Sequence, residues 1–196
     1  MARPKVHDEA LRIRLLERAG QLLSDHGPEG LGLRRLASES GTSTTAVYSL
    51  FGGKPGLVRE LYIEGFRRLG DRMERVPKTD NVLDDLQALG NAYRSSAQDN
   101  RNFYSIMFDR AVPDFQPDEE ARAWARRSMR PLRHTVERGA AEGLFVGVAP
   151  EEIVVSAWGL VHGLVSLELS GSVPPDVDTD ALYERALVNG MAGWLN

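Results

Sequence analysis

The side chains best spaced to do chemistry in this sequence lie between Leu33 and Phe51, and the chemistry they suit is recognition rather than bond-making. Gly41 can supply a tight turn, because glycine enters positive φ without a steric penalty. Ser43 follows where a hydroxyl can accept a backbone N–H and start a helix. Leu36, Ala37, Val47 and Phe51 recur at steps that let two short helices pack on each other, Ala37 being small enough for close approach. The second helix opens with Thr44, Thr45 and Ala46, short side chains able to meet base edges, and Tyr48 and Lys54 can reach phosphates on either side. Two short helices around a glycine turn are the unit that seats a helix in the major groove.

Other chemistries find no matching constellation. The 196 residues include no cysteine, which excludes disulfides, thiolate metal sites and a cysteine nucleophile. The histidines, His7, His26, His134 and His162, are scattered, with no Glu or His at ligand spacing on an apolar helix face. No nucleophile–base pair and no phosphate-cradling glycine loop stands out. The expectation is therefore no catalytic residue, no metal site and no cofactor.

The segment around the glycine turn resembles the DNA-binding domain of the TetR family. The matching residues are Leu36-Ala37, Gly41, Ser43, Val47-Tyr48, Phe51, Lys54 and Leu57, within residues 10–65. Four positions depart from the pattern: Ser40 for Ala, Thr42 for Val, Leu50 for His, and Gly32 for a Thr that caps a helix and touches phosphate. The resemblance implies a transcriptional regulator that grips double-stranded operator DNA as a homodimer. It assigns Thr44, Thr45 and Ala46 to base reading, and Arg34, Ser43, Tyr48 and Lys54 to holding the backbone. Arg3 and Lys5, ahead of the first helix, would either reach a neighbouring groove or stay solvated.

The elements that must position these residues are helical nearly everywhere. Leu11, Leu15, Leu16, Ala19, Leu22 and Leu23 define a first amphipathic helix ending at Gly27-Pro28. Helices are expected over 33–40 and 44–51, then from Lys54 towards Arg75. Val82, Leu83, Leu86, Leu89 and Tyr93 line one face of another, and an aromatic-rich helix covers 101–110. A longer one from Asp118 to Glu142 carries Pro131, which should kink it. Helices over 151–169 and 179–195 complete an all-α fold of about nine helices. The expected domains are a three-helix DNA-binding domain at 1–53, a connecting helix at 54–79 and a ligand-binding and dimerisation domain at 80–196. Residues 1–75 hold 13 Lys and Arg against 10 Asp and Glu, and the remainder 11 against 18. A basic head on an acidic body suits a protein that presents one end to phosphates.

Residues 153–167 form the longest uncharged apolar stretch, short for a bilayer and interrupted by His162, so a buried helix is expected rather than a membrane span. With a charged N-terminus that has no apolar leader, this points to a cytoplasmic protein. Ser156, Gly159, Gly163, Ser166 and Ser170 form a seam of small residues there. With Leu187, Met191 and Trp194 of the last helix, the seam resembles the TetR family's dimer interface; packing within one chain is the alternative. The run Trp158 to Leu164 also resembles the family's WHG-type C-terminal domain, so named for Trp, His and Gly. His162 would be a polar anchor in a pocket or a hydrogen-bonded core residue. Phe103, Met107, Phe108, Trp124, Trp158 and His162 are the expected lining of a pocket for a small apolar or amphipathic effector; plain core is the other reading. Arg122, Arg126, Arg130 and Arg133 share a helix side with neighbouring acids. The implied function is a repressor released by its effector, with a ligand-independent regulator or activator as the alternative.

Overall fold

The structure is a computed structural model that describes residues 5–108 and 112–195. Arg3 lies outside the described residues. Ten helices follow in order: α1 (Lys5–Gly30), α2 (Leu33–Glu39), α3 (Thr44–Phe51), α4 (Lys54–Glu74), α5 (Val82–Asp99), α6 (Arg101–Phe108), α7 (Glu119–Ser128), α8 (Arg130–Ala141), α9 (Pro150–Leu169) and α10 (Thr179–Ala192). Among the described residues the one β-type pairing is an isolated bridge between Phe145 and Leu195. The all-α expectation holds, with one helix more than expected. The long helix over 118–142 is two, because Met129 (φ −87, ψ 0) breaks it and Pro131 falls in the first turn of α8. A proline there lacks only an N–H that would have no partner in any case. In α1 the backbone leaves helical geometry at Gly27, where the sequence predicts the end.

The chain divides into two compact units. The first comprises Met1–Arg67 with Asn100–Ala125, the second Arg68–Asp99 with Arg126–Asn196. The divisions differ from those expected near residues 53 and 79, because α4 is shared between units and α6 folds with the first.

In the first unit, Leu15, Leu16, Ala19, Leu22 and Leu23 of α1 meet Leu36, Ala37, Val47, Phe51, Leu57 and Leu61 in one core. Burying a leucine this fully contributes about 1.5–3 kcal/mol. Phe103 and Ile106 of α6 close the same core. The approach of α6 relies on missing side chains: a Cβ on Gly65 would meet the Met107 sulfur at 2.6 Å.

In the second unit α5, α8, α9 and α10 pack together. Gly90 of α5 lies so near Leu187 of α10 that a Cβ would sit 2.8 Å from its Cδ2. The Tyr183 hydroxyl donates to the Gly90 carbonyl at 2.8 Å. The α4–α5 connection is fastened by Asp85, a buried carboxylate. Its oxygens accept from Thr79 N at 3.0 and 3.2 Å, Thr79 Oγ1 at 2.7 Å and Arg138 Nη2 at 2.5 Å. Arg138 Nη1 also donates to the Thr79 carbonyl at 3.0 Å.

Burial pushes the Asp85 carboxyl up, but the Thr79 and Arg138 bonds outweigh it and hold it below the usual carboxylate range. A carboxylate depressed on folding contributes stability above its unfolded pKa, about 3.9, and loses it as pH falls through the lower folded value. Asp85→Asn should therefore cost about 3 kcal/mol at neutral pH, since it removes the closer countercharge of Arg138, whose side chain is only 17% exposed. Urea unfolding across a pH series should show the gap from the parent protein narrowing below about pH 4. Equal stability of the two proteins at pH 7 would contradict this account.

Candidate nucleic-acid interface

The turn between α2 and α3 is built almost wholly from backbone hydrogen bonds. Gly41 takes a left-handed conformation (φ 63). Gly41 N donates to the Ser38 carbonyl at 3.2 Å, and Thr42 N to that of Ala37 at 2.9 Å. These two bonds satisfy carbonyls that the end of α2 would otherwise leave open. Two residues later Ser43 caps α3, its hydroxyl accepting from Ala46 N at 3.1 Å. Gly32, where the resemblance places a capping Thr, makes no side-chain cap at α2. Buried Val47 and Phe51 then fix the inner side of α3.

The outer side of α3 carries the residues predicted from the sequence. Thr45 is exposed, Thr44 and Ala46 are half-buried, and Tyr48 is 54% exposed. The Tyr48 ring packs near Gly53, whose added Cβ would lie 3.6 Å from it. Arg34 is exposed on α2. Its neighbour Arg35 is engaged, Nε donating to Glu39 at 2.8 Å and Nη2 lying 2.9 Å from His26 Nε2. Arg35 and Arg18 together hold the Glu39 carboxyl below its ordinary pKa. Lys54 is turned partly inward, Nζ donating to the Pro28 carbonyl at 2.7 Å. That bond ties the start of α4 to the end of α1, and nothing in the spacing of charges reveals it.

The effector residues predicted from the sequence do not form one group. Phe103 is buried in the core of the first unit, Met107 packs against that core, and Phe108 meets Phe66 edge-on with centroids 5.4 Å apart. They are consumed there because α6 packs on α1 and α4, which periodicity within α6 cannot disclose. Trp124 also belongs to the first unit. Trp158 and His162 lie in the second, their rings 5.9 Å apart. His162 Nδ1 is 3.1 Å from the Tyr93 hydroxyl. Trp158 lines a void of about 40 Å³ with Met73, Leu89, Met129 and Met191, and neither Met73 nor Met129 is among the lining residues predicted from the sequence. Met73 on α4 and Met129 between α7 and α8 are far apart in sequence and give no local pattern to notice.

The residues predicted for an interface also divide. Leu187, Met191 and Trp194 line that internal void, because their helical step is the inward side of α10. Gly159 and Gly163 face open space, and Ser166 is half-buried. Nor is α9 the buried helix expected: it is apolar enough by composition to cross a membrane, yet only 22% of that window is buried within the chain. The arginines of α7 and α8 meet local acceptors, Arg130 with Glu74 at 2.7 Å and Arg133 with Glu151.

Two short helices locked by a glycine turn, with a hydroxyl-rich outer face, define a helix-turn-helix DNA-binding protein. Sequence models agree. That for bacterial regulatory proteins of the tetR family matches residues 15–61, and that for the tetracyclin repressor-like C-terminal domain matches residues 86–189. The chain belongs to the TetR family of transcriptional regulators. The HTH-type transcriptional regulator Rv1816 of Mycobacterium tuberculosis is 26% identical over 201 residues, covering 88% of this chain and 86% of that protein. A structure of a protein of unknown function from Rhodococcus sp. RHA1 is similar at a TM-score of 0.82 and 26% identity, covering 95% of this chain and 96% of that one. The TetR family regulator PfmR from Thermus thermophilus shares the fold at a TM-score of 0.74 and 20% identity, covering 91% and 97%.

Ser43→Ala removes the α3 cap and should lower stability by about 1 kcal/mol. Ser43→Asp keeps the cap but adds a negative charge at an exposed position, which phosphates brought near it would repel. If the two roles of Ser43 are separate, thermal melts will show Asp restoring stability while a DNA titration shows it binding worse than Ala.

Proposed function

We propose that this DNA-binding regulator is a repressor that holds a palindromic operator as a homodimer and leaves it when a small apolar or amphipathic effector enters the second unit. The observation that carries the DNA reading is the outer face of α3, where Thr45 and Tyr48 are exposed and, among the described residues, have no hydrogen-bond partner. Thr44, Thr45 and Ala46 read bases; Arg34, Ser43, Tyr48 and Lys54 hold phosphates, Lys54 with the donors its Pro28 bond leaves over. The α3 sequence, TTAVYSLF, has no Arg, Lys, Asn or Gln, so bidentate base contacts are unavailable to it. Readout then rests on thymine methyl groups, bridging water and DNA shape.

The outer face of α9 and α10 supports the homodimer. Val155, Leu167 and Val188 are 55%, 50% and 52% exposed, beside open Gly159 and Gly163. A contiguous apolar face with small residues at its centre suits a second helix pair, and the nearest such pair is that of an identical chain. A two-fold dimer requires a palindromic site with half-sites whole turns apart, ~34–36 Å per turn. Operator binding places the protein in the cytoplasm. A ligand-independent regulator is the second reading, favoured by the nearly filled core of the second unit.

Binding to a palindromic fragment and to a scrambled duplex should separate the roles on α3. Tyr48→Phe should weaken both by roughly fivefold, the worth of one hydrogen bond. Thr45→Ser, losing a methyl group, should change preference among half-site sequences; the opposite pattern would overturn the assignment. For assembly, Leu167→Glu should convert dimer to monomer in sedimentation. A dimer that survives this charge would place the interface elsewhere.

A further inference from the structure

The second unit contains two adjoining spaces of opposite character. The inner void of about 40 Å³ is walled by apolar side chains including Met73, Leu89, Met129, Trp158 and Met191. The outer one is an open cleft of about 330 Å³ lined in part by Glu74, Lys78, Asp85, Arg130, His134 and Thr135. Met73 and Leu89 line both. The inner space offers few polar groups to hold water. Its partition toward the cleft includes Met73, an unbranched thioether whose rotatable bonds let it repack at small cost.

The charges around the cleft are unevenly committed. Asp85 is saturated by Thr79 and Arg138, and Glu74 is paired with Arg130 at 2.7 Å. Lys78 and His134 are exposed, and among the described residues neither has a hydrogen-bond or ion-pair partner. The cleft therefore offers positive and N–H donor groups in excess of acceptors. A negatively charged head would meet them, whereas a cationic head would find its carboxylates already occupied.

We propose that the second unit binds an amphipathic anion, an apolar chain ending in a carboxylate or phosphate. Its head rests against Lys78, His134 and Arg130, and its tail displaces Met73 to extend into the methionine-lined core. This deepens the effector reading above and rests on it. The site also explains how occupancy would be felt. An anion that draws Arg130 away from Glu74 releases the last residue of α4, the helix that begins at Lys54.

Four probes with the same eight-carbon tail isolate the head: nonanoate, octyl phosphate, octanol and octylammonium. Titration calorimetry on the full chain without DNA should give one anion bound per chain, about tenfold tighter than octanol or octylammonium, as charge-assisted bonds provide. The better of the two anions identifies a carboxylate or a phosphate as the natural head. The double variant Lys78→Ala/His134→Ala, altered only at exposed positions, should lose about tenfold for the anions and nothing for octanol. The proposal is overturned if octanol or octylammonium binds as tightly, if the double variant binds the anions unchanged, or if no probe binds. Operator binding is measured separately. Retained operator binding without anion binding sinks this inference alone; anion binding that leaves the operator complex intact supports the site and counts against effector release.

Discussion

What the first unit can present to DNA depends on how closely α3 and α4 approach at their junction. A Cβ on Gly56 would lie 1.8 Å from the Phe51 carbonyl oxygen, so the start of α4 rests directly on backbone of α3. That contact leaves no freedom for a side chain and little for rotation of α3 about its own axis. Phe51 is at the same time part of the core that holds α1, α2 and α4 together. The orientation of Thr45 and Tyr48 is thus inherited from the core through one crowded joint, and flexible surface residues need only provide contacts. The Lys54 bond to the Pro28 carbonyl reinforces the same joint from the other side, coupling α4 to the end of α1.

Much of this was legible in the sequence because its determinants are local. The αL turn at Gly41, the Ser43 cap and the helix end at Gly27-Pro28 each follow from residue types at short spacing, and each is present. The predicted kink at Pro131 was right about the backbone disturbance and wrong about its extent, since a proline can equally open a new helix. What could not be read was which helix packs on which. Phe103 and Met107 look like pocket residues on their own helix and prove to be core residues of the first unit, because Gly20 and Gly65 admit α6 closely there. The Asp85–Arg138 clamp joins residues 53 positions apart, beyond the reach of periodicity.

Composition alone assigns α9 equally well to three environments: a buried core helix, a membrane span and a helix covered by another protein. The structure separates the first, since most of its apolar length is unburied within the chain. The remaining choice turns on side-chain size. Lipid tails are accommodating and impose no demand for Gly159 and Gly163 to be small, whereas a rigid helix approaching at close range does. Leu187 and Met191 point inward, while Gly159 and Gly163 stay open on the outside between Val155 and Leu167. That division is what an interface between preformed helix pairs requires.

A similar division runs through the arginines. Arg18, Arg59, Arg94 and Arg138 are committed to Glu39, Asp118, Glu168 and Asp85, fixing helices to one another. Their number says little about nucleic acid, because a guanidinium already paired in the fold has fewer donors to offer a phosphate. The functional charge is the residue left after that pairing. Among the groups left over are Arg34 on α2 and Lys78 with His134 at the cleft, on which the proposed DNA and anion contacts rest. A total of net −4 is thus compatible with binding anions at two separate places, since each place is defined by which donors the fold leaves uncommitted rather than by the sum.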